Sequence, residues 1–272
     1  MTQPVAVTDP SDACLADFTA LNEPVSRRRV ERQGGYFVVE GIVAIERLLT
    51  LPRWQIRSLA LLPRVADRLG DRLADLDVAV LVAEEAVLRA VVGFDLHRGA
   101  LASVARQPVP ESADLGGIVG GTELLLVAEG VSDHANLGAL YRNAAAFGVG
   151  AVLLDPTCAD PFYRRSVRVS AGHVLAVPTG RLDPLPDGLA RLHALGVTTV
   201  ALTPSADHTL RQLRPADRGD GPVALVVGAE GPGLTGGTLA AAQHRVAIAM
   251  ADGVDSLNVA TATAIALHHL RG

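Results

Sequence analysis

Three separated segments carry the side chains best suited to chemistry. Asn136 and Arg142 lie in Asn136-Leu137-Gly138-Ala139-Leu140-Tyr141-Arg142-Asn143, and Glu230 is the one carboxylate of Gly228-Ala229-Glu230-Gly231-Pro232-Gly233-Leu234. Ser256 and Asn258 interrupt an apolar run in Asp255-Ser256-Leu257-Asn258-Val259-Ala260-Thr261-Ala262. A guanidinium grips anionic oxygens through a planar fork, carboxamides and hydroxyls orient polar groups, and a glycine-rich loop lets backbone amides approach a ligand closely. Each segment also suits a purely local structural role. Asn136 and Ser256 are both good helix N-caps, the glycine loop could be a plain turn, and Glu230 could orient a ligand or pair with Arg142. Arg142 has the weakest structural excuse, because its neighbours Leu140, Ala144, Ala145 and Phe147 look like packing residues.

Other chemistries find less support. The glycine loop is not followed by Gly-Lys-Ser/Thr, so it is not a P-loop, and it lacks the dinucleotide fingerprint after a first strand. There is no G-x-S-x-G. The histidines have no ligand spacing, and the two cysteines, Cys14 and Cys158, stand alone; neither a disulfide framework nor a metal site is expected.

Strands must bring these segments together. From about residue 115 onward, apolar runs at 124–127, 151–154, 174–177, 199–202, 223–227 and 246–249 alternate with helical stretches at 137–147, 164–169, 188–195, 238–243 and 257–270. Continuous apolar runs suit strands buried on both faces, and the alternation predicts an open α/β fold with a parallel sheet. All three segments then follow strands, where ligands collect in such sheets. Upstream, runs at 36–39, 56–62 and 78–82 with helical stretches at 42–51, 65–76 and 84–92 predict a smaller α/β unit over 23–106. Residues 1–22 lack periodicity and read as a flexible tail. Gln107-Pro108-Val109-Pro110-Glu111-Ser112 opens a linker over 107–121, and 122–272 form the larger domain.

At 272 residues, with 49% apolar and 19% charged side chains, the chain can build one or two ordinary cores. No apolar stretch reaches membrane-spanning length. The amino terminus has neither a basic start nor a following apolar run, so a cytoplasmic location is expected. A net charge of −5 argues against a protein that coats nucleic acid indiscriminately, since such binding comes from neutralising phosphates. The basic residues are nevertheless all arginines and they cluster: Arg27, Arg28, Arg29 and Arg32 in one place, Arg164, Arg165 and Arg168 beside Tyr163 in another. Each cluster could be a solvated face or an RNA contact.

Taken in order, the three segments resemble the signature motifs of the SpoU (TrmH-like) branch of the SPOUT RNA methyltransferases, a match covering about 122–270. The resemblance implies an α/β domain whose C-terminal part forms a trefoil knot, transfer of methyl from S-adenosylmethionine to a ribose 2'-hydroxyl, and a homodimer that completes the site. It places the cofactor against Gly228, Glu230, Gly231, Gly233, Ile248, Met250 and Leu257. Arg142 would activate the hydroxyl and hold the adjacent phosphate, while Asn136, Glu230, Ser256 and Asn258 orient the reacting groups. One departure stands out: the family usually carries Pro just ahead of the first motif, where this chain has Asp133-His134-Ala135. The region 36–106, with Val39-Glu40-Gly41 and Phe94-Asp95-Leu96-His97-Arg98-Gly99, is similar to the small L30e-like substrate-binding domain that precedes many family members. By analogy the expected RNA is ribosomal, 23S included, ahead of transfer RNA. The alternative of another class is a non-catalytic RNA-binding or ribosome-assembly module.

Overall fold

A computed structural model describes residues 4–23, 30–74, 76–96, 99–206 and 208–271. They fall into two compact units: Met1–Pro108 with Phe162–Ala176, and Val109–Pro161 with Val177–Gly272.

The first unit is built on strands β1 (Val5–Ala6), β2 (Tyr36–Glu40), β3 (Ile56–Leu61), β4 (Ala79–Val82) and β5 (Ala100–Ala105), in the order β1-β4-β3-β5-β2. Strands β1, β4 and β3 run parallel, and β5 is antiparallel to both of its neighbours. Helices α1 (Ile42–Leu48), α2 (Pro63–Leu69) and α3 (Glu85–Val92) connect them. The helix predicted over 65–76 breaks at Gly70, whose φ of 47° ends α2. Strand β5 escaped prediction because Ala-Leu-Ala-Ser-Val-Ala has little β-branched character; pairing on both edges makes it a strand.

Two expectations fail in this unit. The flexible tail is structured wherever it is described: β1 pairs with β4, and the Asp12 carboxylate accepts a hydrogen bond from Cys14 N at 2.9 Å. Leu15 and Phe18, on the 3-10 turn that follows, are 0% exposed. Two anchors on a six-residue turn are too few to register as periodicity. The second failure concerns 162–176, which packs here rather than in the larger domain. The Phe162 ring lies 5.2 Å from Phe37 and 5.3 Å from Trp54, and Trp54 Nε1 donates to Leu175 O at 2.9 Å. The strand predicted over 174–177 is the helical turn His173–Ala176, with Ser170 Oγ accepting from Val174 N at 3.3 Å. A short apolar run does not distinguish a buried turn from a strand.

In the second unit, β6 (Leu124–Glu129), α4 (His134–Ala146), β7 (Ala151–Leu154), β8 (Thr179–Arg181), α5 (Asp187–Ala194), β9 (Thr198–Leu202), β10 (His208–Thr209), β11 (Val223–Gly228), α6 (Gly236–Ala241), β12 (His244–Ala247) and α7 (Val259–Arg271) follow one another. Among the described residues the sheet has seven strands, ordered β10-β12-β9-β11-β6-β7-β8, all parallel as expected. Leu125, Val127, Leu153 and Val226 close one face with Leu189 and Leu192 of α5, all 0% exposed. Each such side chain contributes about 1.5–3 kcal/mol by leaving water. Helix α7 packs on α4, where Asn143 Nδ2 donates to Ala260 O at 2.7 Å. The chain builds outward from β6 through β7 to β8, then returns to lay down β9 and later inserts β11 between β9 and β6. Strand order therefore reverses beside β6, which is where an open parallel sheet forms its ligand crevice.

Candidate active site

The carboxyl ends of β6 and β11 stand side by side, with Glu129 in register with Gly228. Beyond Gly228 the chain turns back on itself: Gly233 N donates to Ala229 O at 3.0 Å, and Gly231 and Gly233 take φ values of 86° and 70°, a region that glycine enters without steric cost. A Cβ on Gly228 would be driven into the backbone of Gly233 and Leu234. The loop forms one wall of a cavity of about 600 Å³. Gly228, Glu230, Gly231, Gly233, Ile248, Met250, Ser256, Leu257 and Asn258 all line it. So do Thr203, Pro204 and Ser205, which the sequence motifs missed. Their signal was present: polar residues directly after a parallel strand, β9, occupy a ligand-facing position.

Three of the predicted polar side chains meet. Asn258 Nδ2 donates to Asn136 Oδ1 at 3.0 Å and to Glu230 Oε1 at 2.5 Å. Asn258 Oδ1 accepts from Ala260 N at 3.0 Å and Thr261 N at 3.3 Å, so Asn258, and not Ser256, caps α7. Nor is Asn136 a cap. Asp133 does that for α4, its Oδ1 accepting from Ala135 N at 2.8 Å and Asn136 N at 2.9 Å. With His134 in the first helical position, the departure from the usual Pro leaves the cap intact. Relieved of capping, the Asn136 side chain faces Asn258.

Glu230 is engaged by Asn258 rather than Arg142, which corrects the pairing considered from sequence. Arg142 is exposed and its side chain makes neither a hydrogen bond nor an ion pair among the described residues. It lies farther along α4 than Asn136 by roughly 9 Å, at 1.5 Å per residue. The Ser256 hydroxyl is exposed at the cavity edge.

Buried groups hold this arrangement from behind. Tyr141, adjacent to Arg142, is 0% exposed and shares a 2.7 Å hydrogen bond with Thr179 Oγ1; burial pushes its phenol up from the usual range. Asp155 Oδ1 accepts from Gly130 N at 3.0 Å, and Cys158 Sγ donates to Ala128 O at 3.2 Å. Burial, with the Asp155 charge nearby, pushes the Cys158 thiol up to about 12.

The predicted RNA-contacting arginines fare unevenly. Arg27, Arg28 and Arg29 lie outside the described residues; Arg32 and Arg165 are exposed. Arg164 and Arg168 are committed internally to buried Glu40, Nη1 of each reaching its carboxylate at 2.6 and 2.8 Å, and Arg164 also covers the Phe94 ring at 4.6 Å. A buried carboxylate needs compensating cations, so these two arginines serve the fold of the first unit.

Residues 123–268 match the model of the SpoU rRNA Methylase family. An uncharacterized tRNA/rRNA methyltransferase of Mycobacterium tuberculosis is 40% identical over 262 residues, covering 96% of this chain and 90% of the relative. The 23S rRNA (guanosine-2'-O-)-methyltransferase of Yersinia pestis is 34% identical over 236 residues, 85% and 94% of the two chains. The crystal structure of an AdoMet-bound rRNA methyltransferase from Sinorhizobium meliloti superposes with a TM-score of 0.83 at 26% identity, over 99% of this chain and 98% of that one.

Proposed function

Since the chain belongs to the SpoU rRNA methylase family, an S-adenosylmethionine-dependent group of RNA methyltransferases, we propose that it methylates a ribose 2'-hydroxyl of 23S ribosomal RNA. The observation that carries this reading is the junction of Asn136, Glu230 and Asn258 at the rim of a glycine-walled cavity.

The residues suit the cofactor. A cavity of about 600 Å³ falls within the roughly 300–1,000 Å³ of small-molecule sites. Gly228, Gly231 and Gly233 leave the backbone bare for polar contacts, and Ile248, Met250 and Leu257 supply apolar wall. When bound, S-adenosylmethionine supplies an electrophilic sulfonium methyl. The protein's task is to align the acceptor oxygen and to ease removal of a weakly acidic proton, and positioning alone is worth several powers of ten. With the planar donor fork of a guanidinium, Arg142 stabilises the developing alkoxide and grips the neighbouring phosphate. Fixed by Asn258, Glu230 and Asn136 orient the ribose, and the Ser256 hydroxyl adds a donor at the same rim.

In this reading the first unit is an L30e-like module that holds RNA, Arg32 and Arg165 among its contacts. The C-terminal thread takes the family's trefoil path, two copies associate to complete the site, and the protein works in the cytoplasm. None of the described helices is long and apolar enough to cross a membrane.

The test is transfer of labelled methyl from S-adenosylmethionine to ribosomal and transfer RNA from cells lacking the gene, followed by alkaline hydrolysis. Label in alkali-resistant dinucleotides of 23S RNA is the expected result. Label in transfer RNA alone would reassign the substrate, and cofactor binding without transfer to free or ribosome-assembled RNA would leave a binding module.

A further inference from the structure

Glu129 ends β6, 6% exposed, and no motif singled it out. Its carboxylate collects three donors from the far side of the glycine loop. Thr235 N reaches Oε2 at 2.9 Å, Thr235 Oγ1 reaches Oε1 at 2.9 Å, and Thr238 Oγ1 reaches Oε1 at 2.7 Å. Thr235 is also the N-cap of α6, accepting from Thr238 N at 3.2 Å.

We propose that Glu129 is a positioning residue that sets the shape of the cofactor loop by gripping both of its ends. At one end Gly228 is fixed beside Glu129 by the β6–β11 ladder; at the other, the first residues after Leu234 are held by the carboxylate. The intervening loop contains glycines at positive φ, whose freedom in the unfolded chain is large, so its wall-forming geometry depends on how firmly its ends are held. Burying a carboxylate is costly unless several donors satisfy it, and a side chain with one acceptor atom cannot replace the pattern. Glu129 also begins the loop that leads to Asn136.

The inference rests on the methyltransferase reading, and the experiment separates the two. Calorimetric binding of S-adenosylmethionine is compared among the wild type, Glu129→Gln, Thr238→Val, their double variant, and Leu88→Ala, a core substitution on α3 of the first unit. Glu129→Gln should weaken binding about tenfold, as expected for lost hydrogen bonds to a charged group, with kcat at saturating cofactor within about threefold of wild type. Thr238→Val should weaken it less, and the double variant should be no weaker than Glu129→Gln alone, because both act through one contact. Leu88→Ala should lower Tm and leave affinity unchanged. Should Glu129→Gln fail to fold, Thr238→Val alone must show reduced affinity against the Leu88→Ala control. Unchanged affinity in the loop variants, additive effects, or an equal loss in Leu88→Ala would overturn the role of Glu129. A wild type that does not bind S-adenosylmethionine would instead overturn the methyltransferase reading.

Discussion

Asn136 and Asn258 lie 122 positions apart in sequence and are joined by a 3.0 Å hydrogen bond that links the start of one helix to the start of another. The same Asn258 amide reaches Glu230, so one planar group sets the relative placement of all three signature segments.

Asn258 serves the site and the helix through different atoms, and the two roles can be separated. Asn258→Asp keeps an acceptor for Ala260 N and Thr261 N and replaces the donor that Asn136 and Glu230 share with a negative oxygen facing two acceptors. The expected result is a nearly unchanged Tm with transfer reduced at least about tenfold, the scale of a lost orienting hydrogen bond. Asn258→Ala removes both roles and should also cost about 1 kcal/mol in denaturant unfolding, the usual loss for a helix cap.

Among the described residues the Arg142 side chain projects from α4 without an internal partner, and it does not line the cavity. Arg142→Ala should therefore reduce methyl transfer by roughly 100- to 1,000-fold, as when one charge-stabilising donor is removed from an active site. Its dissociation constant for S-adenosylmethionine should stay within about twofold. Simultaneous loss of cofactor binding, measured by calorimetry, would refute the separation of substrate and cofactor roles.

The close approach at Gly228 leaves no room for a side chain. Gly228→Ala forces the loop away from Leu234 and should abolish measurable cofactor binding. Gly231→Ala meets open space but must hold φ near 86°, which should cost about 1–2 kcal/mol of stability with a milder loss of affinity. Equal affinity in both variants would show that the loop's shape does not matter to the ligand.

Cys158 gives a test in pH. Its thiol is raised from 9.0 to about 12 in the folded protein, so the fold favours the protonated form. That contribution is complete below the unfolded value and is lost as pH rises from about 9 toward 12. Between pH 8 and 10 the unfolding free energy of the wild type, from urea titrations, should fall more steeply than that of Cys158→Ala, by at most about 1.4 kcal/mol per pH unit. Parallel curves would show that the buried thiol does not couple to folding.

Much of this organisation is legible in the sequence because the large domain uses doubly buried strands. Runs such as 151–154 and 223–227 suit an interior strand, although the similar run 174–177 forms a helical turn, and polar residues that break the pattern, Asn136 and Ser256 among them, mark where strands give way to the site. Capping was harder to assign. Asp133, Asn136, Ser256 and Asn258 can all cap helices, and only the three-dimensional position of Glu230 and Asn136 relative to Asn258 decides which do. Glu129 was illegible for a related reason: a carboxylate at a strand end reads as solvated until Thr235 and Thr238 are seen to surround it. The reassignment of 162–176 depends on Phe162 finding Phe37 and Trp54, a tertiary match that no local pattern encodes.

Strand β11 occupies a slot whose two sides, β6 and β9, both come earlier in the chain. During synthesis from the amino terminus, β6 and β9 have no strand to join them until residues 223–228 emerge from the ribosome. Asn258 arrives later still, and with it the last contact among the signature segments. A protein stalled or trimmed before its final helix would thus carry most of its hydrophobic core and no assembled site. Pairings of this sequence separation are slow to form, so the site assembles only after the sheet that carries it.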